Sequence, residues 1–196
     1  MADPVRYFDA LAPRYAERYG PGGGLWHRHF FTGRRDVALA WLGEVASGTV
    51  VDVGAGPGPL TATLAARGLR VLAVDRAPRM AGVAADGGAA AVCGDALALP
   101  LRDGTCAAAT ALGLASYVAD LPALLRELRR VVRPGGLVVV SVAVATSPDW
   151  LARRLLRGPA TASGARGVLT SGVALHTRSR AVWRAAVAAA GLLLEE

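Results

Sequence analysis

The stretch Val50-Val51-Asp52-Val53-Gly54-Ala55-Gly56-Pro57-Gly58-Pro59 decides the fold. Its first four residues are nearly all apolar, as a parallel strand buried on both faces requires. Gly54 and Gly56 then admit positive φ and let the backbone approach a ligand closely. Pro59 opens a helix at a position where a missing N–H costs nothing. Strand, glycine turn and helix in this order form the first junction of a doubly wound α/β sheet, which takes its ligand at the carboxyl ends of the strands. Amides at the start of the helix are expected to face that ligand with the positive end of the helix dipole, which favours a carboxylate. The glycine spacing is G-x-G-x-G. A nicotinamide-binding turn reads G-x-G-x-x-G and would need glycine where Pro59 stands. The chain has no Lys and hence no Tyr-x-x-x-Lys pair, so an NAD-dependent oxidoreductase is disfavoured twice.

Outward from this turn, short apolar runs alternate with Ala/Leu-rich helical stretches, the pattern of a mostly parallel sheet covered by helices. Strands are predicted at Val50 to Val53, Arg70 to Val74, Ala89 to Cys93, Cys106 to Leu112 and Leu137 to Val144. Helices are predicted over Pro59 to Ala66, Pro78 to Ala85 and Leu121 to Val132. Ahead of the sheet, Pro4 to Tyr19 and Trp26 to Leu42 carry aromatic and apolar residues at helical spacing, separated by a glycine-rich breaker, and form an N-terminal helical cap over residues 1–47. The core, 48–196, holds an insertion at 145–178, with a short helix over Pro148 to Arg157 and a mobile Gly/Ala/Ser/Thr-rich loop over Gly158 to Gly172. Ser179 to Ala190 is a helix, N-capped by Ser179 and ended by Gly191. The expected fold is a single α/β domain with a Rossmann-like doubly wound sheet.

A chain of 196 residues with 53% hydrophobic composition buries one sizeable core and is too short for two full domains. The absence of Lys, Ile, Asn and Gln beside abundant Ala, Gly, Val, Leu and Arg matches the codon bias of a GC-rich bacterial genome. A net charge of +7 raises nucleic acid as a partner. The cations do not cluster to suit it: Arg126, Arg129, Arg130 and Arg133 lie opposite Leu124, Leu125, Leu128 and Val131, the solvated face of an amphipathic helix. Cys93 and Cys106 sit in apolar segments with neither metal-ligand spacing nor a disulfide framework, which suits reduced, buried thiols in a cytoplasmic protein and implies no metal. The longest apolar stretch, Leu137 to Ala145, is too short to cross a bilayer, so no membrane partner is expected.

Two further acids follow the next strands. Asp75 closes Val71-Leu72-Ala73-Val74-Asp75, where a carboxylate accepts both hydroxyls of a ribose. Asp95, in Cys93-Gly94-Asp95-Ala96, is placed to meet the exocyclic amine of an adenine. Taken singly, such residues are commonly helix caps or turn formers; Asp52, Asp75 and Asp95 in register after successive strands point to a nucleoside.

With Leu128-Arg129-Arg130-Val131-Val132-Arg133-Pro134-Gly135-Gly136 added, these stretches resemble the successive motifs of class I methyltransferases dependent on S-adenosylmethionine (SAM). Tyr7-Phe8-Asp9-Ala10-Leu11-Ala12-Pro13-Arg14-Tyr15 is similar to the opening helix of the ubiquinone/menaquinone-biosynthesis type, methyltransferase type 11. The resemblance implies SAM as cofactor and S-adenosylhomocysteine (SAH) as product. It implies that Tyr15 lies near the cofactor, that Asp52, Gly54 and Gly56 surround the methionyl part, and that Asp75 meets the ribose. Asp95 and Ala96 would meet the adenine, and Leu112 and Gly113 the sulfonium side. Ala55, Gly58 and Arg76 complete the candidate cofactor set.

The chain departs from the family pattern in three places. Thr105-Cys106 stands where relatives commonly have Phe-Asp, and no His follows the fourth strand. The family's sheet ends with a sixth strand and an antiparallel seventh, whereas this chain stops at Leu192-Leu193-Leu194-Glu195-Glu196 with the seventh strand missing: either the sequence is truncated, or the sheet has an open edge for a homodimer or another partner to cover. If the acceptor must lose a proton, His27, His29, Tyr15 and His176 are the candidate bases, since they fall in the cap and the late loop. The expected acceptor is a small molecule held under the cap and the insertion. Neither an Asn/Asp-Pro-Pro-aromatic motif nor a Pro-Cys nucleophile for nucleic-acid bases follows the fourth strand, and no carboxylate cluster suits a metal-dependent O-methylation. The alternative is a SAM-binding protein without methylation activity, a cyclase or a partner-stabilising subunit.

Overall fold

The computed structural model describes residues 3–19, 24–142, 166–168 and 174–194. Its elements are α1 (Pro4–Tyr15), a 3₁₀ turn (Ala16–Tyr19), α2 (Gly24–Leu42), β1 (Thr49–Val53), α3 (Pro59–Ala66), β2 (Arg70–Asp75), α4 (Pro78–Asp86), β3 (Ala90–Cys93), β4 (Cys106–Ala111), α5 (Leu121–Val131), β5 (Val132–Val140), β6 (Arg166–Val168), β7 (Ala174–His176) and α6 (Arg180–Ala189). Five parallel strands form one sheet in the order β3-β2-β1-β4-β5. The chain winds outward from β1 to β3 and returns beside β1 as β4. That reversal opens a crevice at the strands' carboxyl ends.

Side chains alternate across a strand, so β1 feeds two cores. Val51 and Val53 pack with Leu121, Leu124, Leu125 and Leu128 of α5 and Trp183 of α6. Val50 packs with Ala38, Leu39 and Leu42 of α2 and Leu60 and Leu64 of α3. The C-terminal part of α2 therefore belongs to the helical layer on the sheet, while α1 and the middle of α2 reach the crevice. Of the two thiols expected to be buried, Cys106 is buried and Cys93, at the end of an edge strand, is exposed. Ala12 of α1 packs on Ala77 and Met80, and Asp9 Oδ1 accepts from Arg79 N at 2.7 Å, which pins α1 to the first turn of α4. The caps follow from composition: Asp120 accepts from Ala123 N ahead of α5, and Ser179 from Val182 N ahead of α6.

Several predicted boundaries shift. The helix expected over Pro4 to Tyr19 is α-helical only to Tyr15, after Pro13, and finishes as a 3₁₀ turn, a frequent way for a helix to end. The fifth strand begins at Val132 instead of Leu137, and the sheet ladder stops at Val140. Val132 is extended and buried, pairing with Cys106, while Ala108 already pairs with Leu137. Arg133 to Gly136 are thus absorbed as an irregularity in the strand, and a Cβ on Gly136 would stand 2.5 Å from Ala107 O. The stretch 143–144 lies outside the described residues, as do the predicted helix Pro148 to Arg157 and most of the loop Gly158 to Gly172. Part of that loop is a strand: Arg166 to Val168 pair antiparallel with Ala174 to His176. Three residues are too few to leave a periodic signature in sequence. Among the described residues, no helix is long and apolar enough to cross a membrane, and no three His, Cys, Asp or Glu side chains gather as metal ligands.

Candidate functional site

A cleft of about 670 Å³ occupies the crevice, within the range of small-molecule sites. Gly54 and Gly56 line it after β1, Asp75 and Arg76 after β2, Asp95, Ala96 and Leu97 after β3, and Leu112, Gly113, Leu114 and Tyr117 after β4. From above, α1 contributes Tyr7, Phe8 and Tyr15, and α2 contributes Phe31 and Arg34. The rings meet edge to face: Phe8 stands 5.1 Å from Tyr7, 5.9 Å from Tyr15 and 5.0 Å from Tyr117, and Tyr15 6.3 Å from Phe31. This geometry suits the aromatic quadrupole.

The glycine turn is held by its own hydrogen bonds. Gly54 N and Ala55 N donate to Val74 O at 2.7 and 3.2 Å, Gly58 N to Ala55 O at 3.1 Å, and Gly56 N to Asp75 Oδ2 at 2.8 Å. Each of these four turn donors already serves the chain; the amides expected to face a ligand were those that follow, at the start of α3. Gly54, at φ 69°, has no room for a side chain, since a Cβ would come within 3.0 Å of Leu114 Cβ. Tyr15 Cε1 lies 4.0 Å from where a Cβ on Gly56 would stand.

Asp52, Ala55 and Gly58 support this turn from behind and do not line the cleft. Asp52 is 3% exposed and accepts from Thr110 Oγ1 at 2.7 Å and Thr61 Oγ1 at 2.8 Å, tying β1 to β4 and α3. Burial pushes its carboxyl above the ordinary Asp value, against the pull of the two hydroxyls. Ala55 borders, with Asp52, a separate recess of about 40 Å³. Gly58 packs so close to α4 that a Cβ would lie 3.0 Å from Ala84 Cβ.

Asp75 faces the cleft, its Oδ2 accepting from Gly56 N and its Oδ1 from Ala77 N at 2.9 Å. Burial raises its carboxyl too, and the amide donors oppose the shift. Asp95 Oδ1 accepts from Leu97 N at 2.9 Å, while its Oδ2 lies 3.7 Å from Arg76 Nε at the cleft mouth. Gly113 N donates to Ser141 Oγ at 2.7 Å. Of the candidate bases, Tyr15 lines the cleft. His176 is not among the lining residues, its backbone N donating to Ser116 O. The side chains of His27 and His29 lie outside the described residues.

Against this geometry the relatives can be read. A family model described as a methyltransferase domain matches residues 51–140, β1 through β5. An uncharacterized methyltransferase of Mycobacterium sp. (strain JLS) is 34% identical over 150 residues, 76% of this chain and 54% of the relative. The chain carries a methyltransferase domain. Its curated relatives are uncharacterized methyltransferases. The chain spans about half the length of the curated relatives it matches. A SAM-dependent methyltransferase from Thermotoga maritima, a possible histamine N-methyltransferase, superposes with TM-score 0.73 at 21% identity, covering 97% of this chain and 81% of that one. Magnesium protoporphyrin IX methyltransferase from Synechocystis PCC 6803, solved with bound SAH, gives 0.72 at 18% identity, covering 95% and 87%. At these identities the likeness is one of fold.

Sequence reasoning missed two features of the methyltransferase domain. Arg34 lines both the cleft and the recess, lies over the Phe31 ring at 4.9 Å, and places Nη1 2.7 Å from where a Cβ on Gly113 would be. Its signal was available: Arg34 shares the helical face of Phe31 and Ala38, an otherwise apolar stripe. Arg130 is not a solvated cation like Arg126 and Arg129. It donates to Glu127, Asp103, Leu99 O and Leu101 O, and Glu127 accepts from Leu99 N. That network fixes the loop leading into β4, and no local pattern announces it.

Proposed function

We propose that this chain binds SAM in the cleft and transfers its methyl group to a small-molecule acceptor. The state of Asp75 carries the reading. A carboxylate offers about four lone-pair sites; Asp75 commits one to Gly56 N and one to Ala77 N, and it lines the cleft. A further backbone donor at Arg76 also acts on it, which leaves at least one site for a ribose hydroxyl. Asp95 and Ala96 then meet the adenine, with Arg76 beside them, and Leu112 and Gly113 flank the sulfonium. Because the turn amides are committed, the cation for the methionyl carboxylate is Arg34, which reaches the cleft beside Gly54 and Gly113. A guanidinium fork suits a carboxylate.

Bound SAM supplies a methyl group on a sulfonium, already attached to a good leaving group. What the chain supplies is alignment, which by itself is worth roughly 7–11 kcal/mol. Tyr15 is the residue placed to hold a proton if the acceptor must lose one. Calorimetry with SAH, followed by incubation of SAM carrying a labelled methyl group with a panel of small acceptors, tests both halves. Saturable SAH binding and label transfer are expected. Absence of SAH binding overturns the whole reading, and tight binding without transfer to any acceptor overturns the transfer half.

A further inference from the structure

The loop between β4 and α5, residues 112–120, builds one wall of the cleft through Leu112 to Leu114 and Tyr117 to Asp120. Hydrogen bonds from different elements hold it at different points. Ser141, just past β5, accepts from Gly113 N at 2.7 Å. Arg178, just ahead of α6, donates to Ala115 O at 3.2 Å, Val118 O at 2.8 Å and Ala119 O at 2.9 Å. The backbone of β7 adds His176 N to Ser116 O at 2.7 Å. Arg178 is seated over the ring of Trp183, 5.9 Å away, and Trp183 is buried in the core. Capping α5 is not its task, because Asp120 already caps that helix. A planar guanidinium meets three carbonyls from one position, which the point charge of an ammonium does not. Tyr117, within the span that Arg178 grips, stands edge-on to Phe8 of α1 at 5.0 Å.

We propose that Arg178 is a positioning residue that seats Tyr117 against α1 and so shapes the acceptor half of the cleft, while Ser141 separately holds the cofactor half. The names of the two halves rest on the function proposed above; the division of the loop does not. It follows that the segment arriving through β6 and β7 governs acceptor selection without touching the cofactor.

The test uses the full chain, labelled with 3-fluorotyrosine, the Tyr117 resonance being assigned from Tyr117→Phe. In Arg178→Ala, exchange of the Tyr117 amide, which donates to Leu114 O inside the gripped span, should quicken by about tenfold or more once the neighbouring carbonyls lose their charged donor. The Tyr117 resonance should shift or broaden, and SAH affinity should change by less than about threefold. Arg178→Lys should recover part of the protection, and it carries the same test with a smaller change if the alanine variant does not fold. Ser141→Ala should do the reverse, weakening SAH by about threefold or more with the Tyr117 amide still protected. Exchange and Tyr117 signals in Arg178→Ala matching the wild type overturn the proposal, as does a loss of SAH affinity equal to that of Ser141→Ala. Failure of the wild type to bind SAH strikes the methyltransferase reading alone, because the exchange measurement needs no ligand.

Discussion

Replacing Asp75 removes more than one contact, and the structure separates the parts. Its carboxylate accepts from Gly56 N and Ala77 N, with a further backbone donor at Arg76, so the side chain both shapes the glycine turn and turns its remaining acceptor capacity to the cleft. A hydrogen bond to a charged group contributes about 1.5–3 kcal/mol. At about 1.4 kcal/mol per factor of ten, losing one ribose contact in Asp75→Ala weakens SAH by roughly 10- to 150-fold, before any loosening of the turn. Asp75→Asn keeps about two of the four acceptor sites but sets an NH₂ against one of the two backbone donors, so about tenfold is expected. Calorimetry with SAH measures both. The pH dependence supplies a second arm: burial raises the Asp75 carboxyl, so protonation begins at a higher pH than in the unfolded chain. Wild-type affinity should therefore fall on acidification, and that of Asp75→Asn should not follow it. Affinity within about twofold of wild type for both variants would refute the ribose assignment.

Asp52 should make stability pH-dependent in a defined sense. Its folded-state carboxyl is raised by burial, so its contribution is complete at low pH and is lost as pH rises through the folded value. The melting temperature of Asp52→Asn, relative to wild type, should consequently climb as pH rises above the ordinary Asp value of 3.8; parallel curves would contradict the buried-brace account. Arg130→Ala leaves Leu99 O and Leu101 O without their donor and releases Glu127, whose carboxyl the guanidinium holds below the ordinary Glu value. The cost is about 1–3 kcal/mol, or roughly 2–4 °C in melting temperature per kcal/mol. An unchanged melting temperature would mean that the 99–103 loop is held by other means.

The amino-acid sequence by itself determined the order and kind of the elements around the glycine turn, and with them the crevice. Apolar strands, Pro59 at a helix start, Ser179 at an N-cap and glycines at tight turns act through local backbone preference, which each segment carries wherever it lies. Asp75 and Asp95 were legible as cleft residues for the same reason, since a strand end is a local landmark, and Leu112 and Gly113 only through the family resemblance. Tertiary structure decided the rest. That Asp52 turns away from the cleft toward Thr61 and Thr110, that the turn amides are already engaged, and that Arg34, Arg130 and Arg178 each have a distinct task all depend on partners distant in sequence. A buried acceptor or donor must be matched wherever the fold leaves it, and which group does so is settled only when the elements pack.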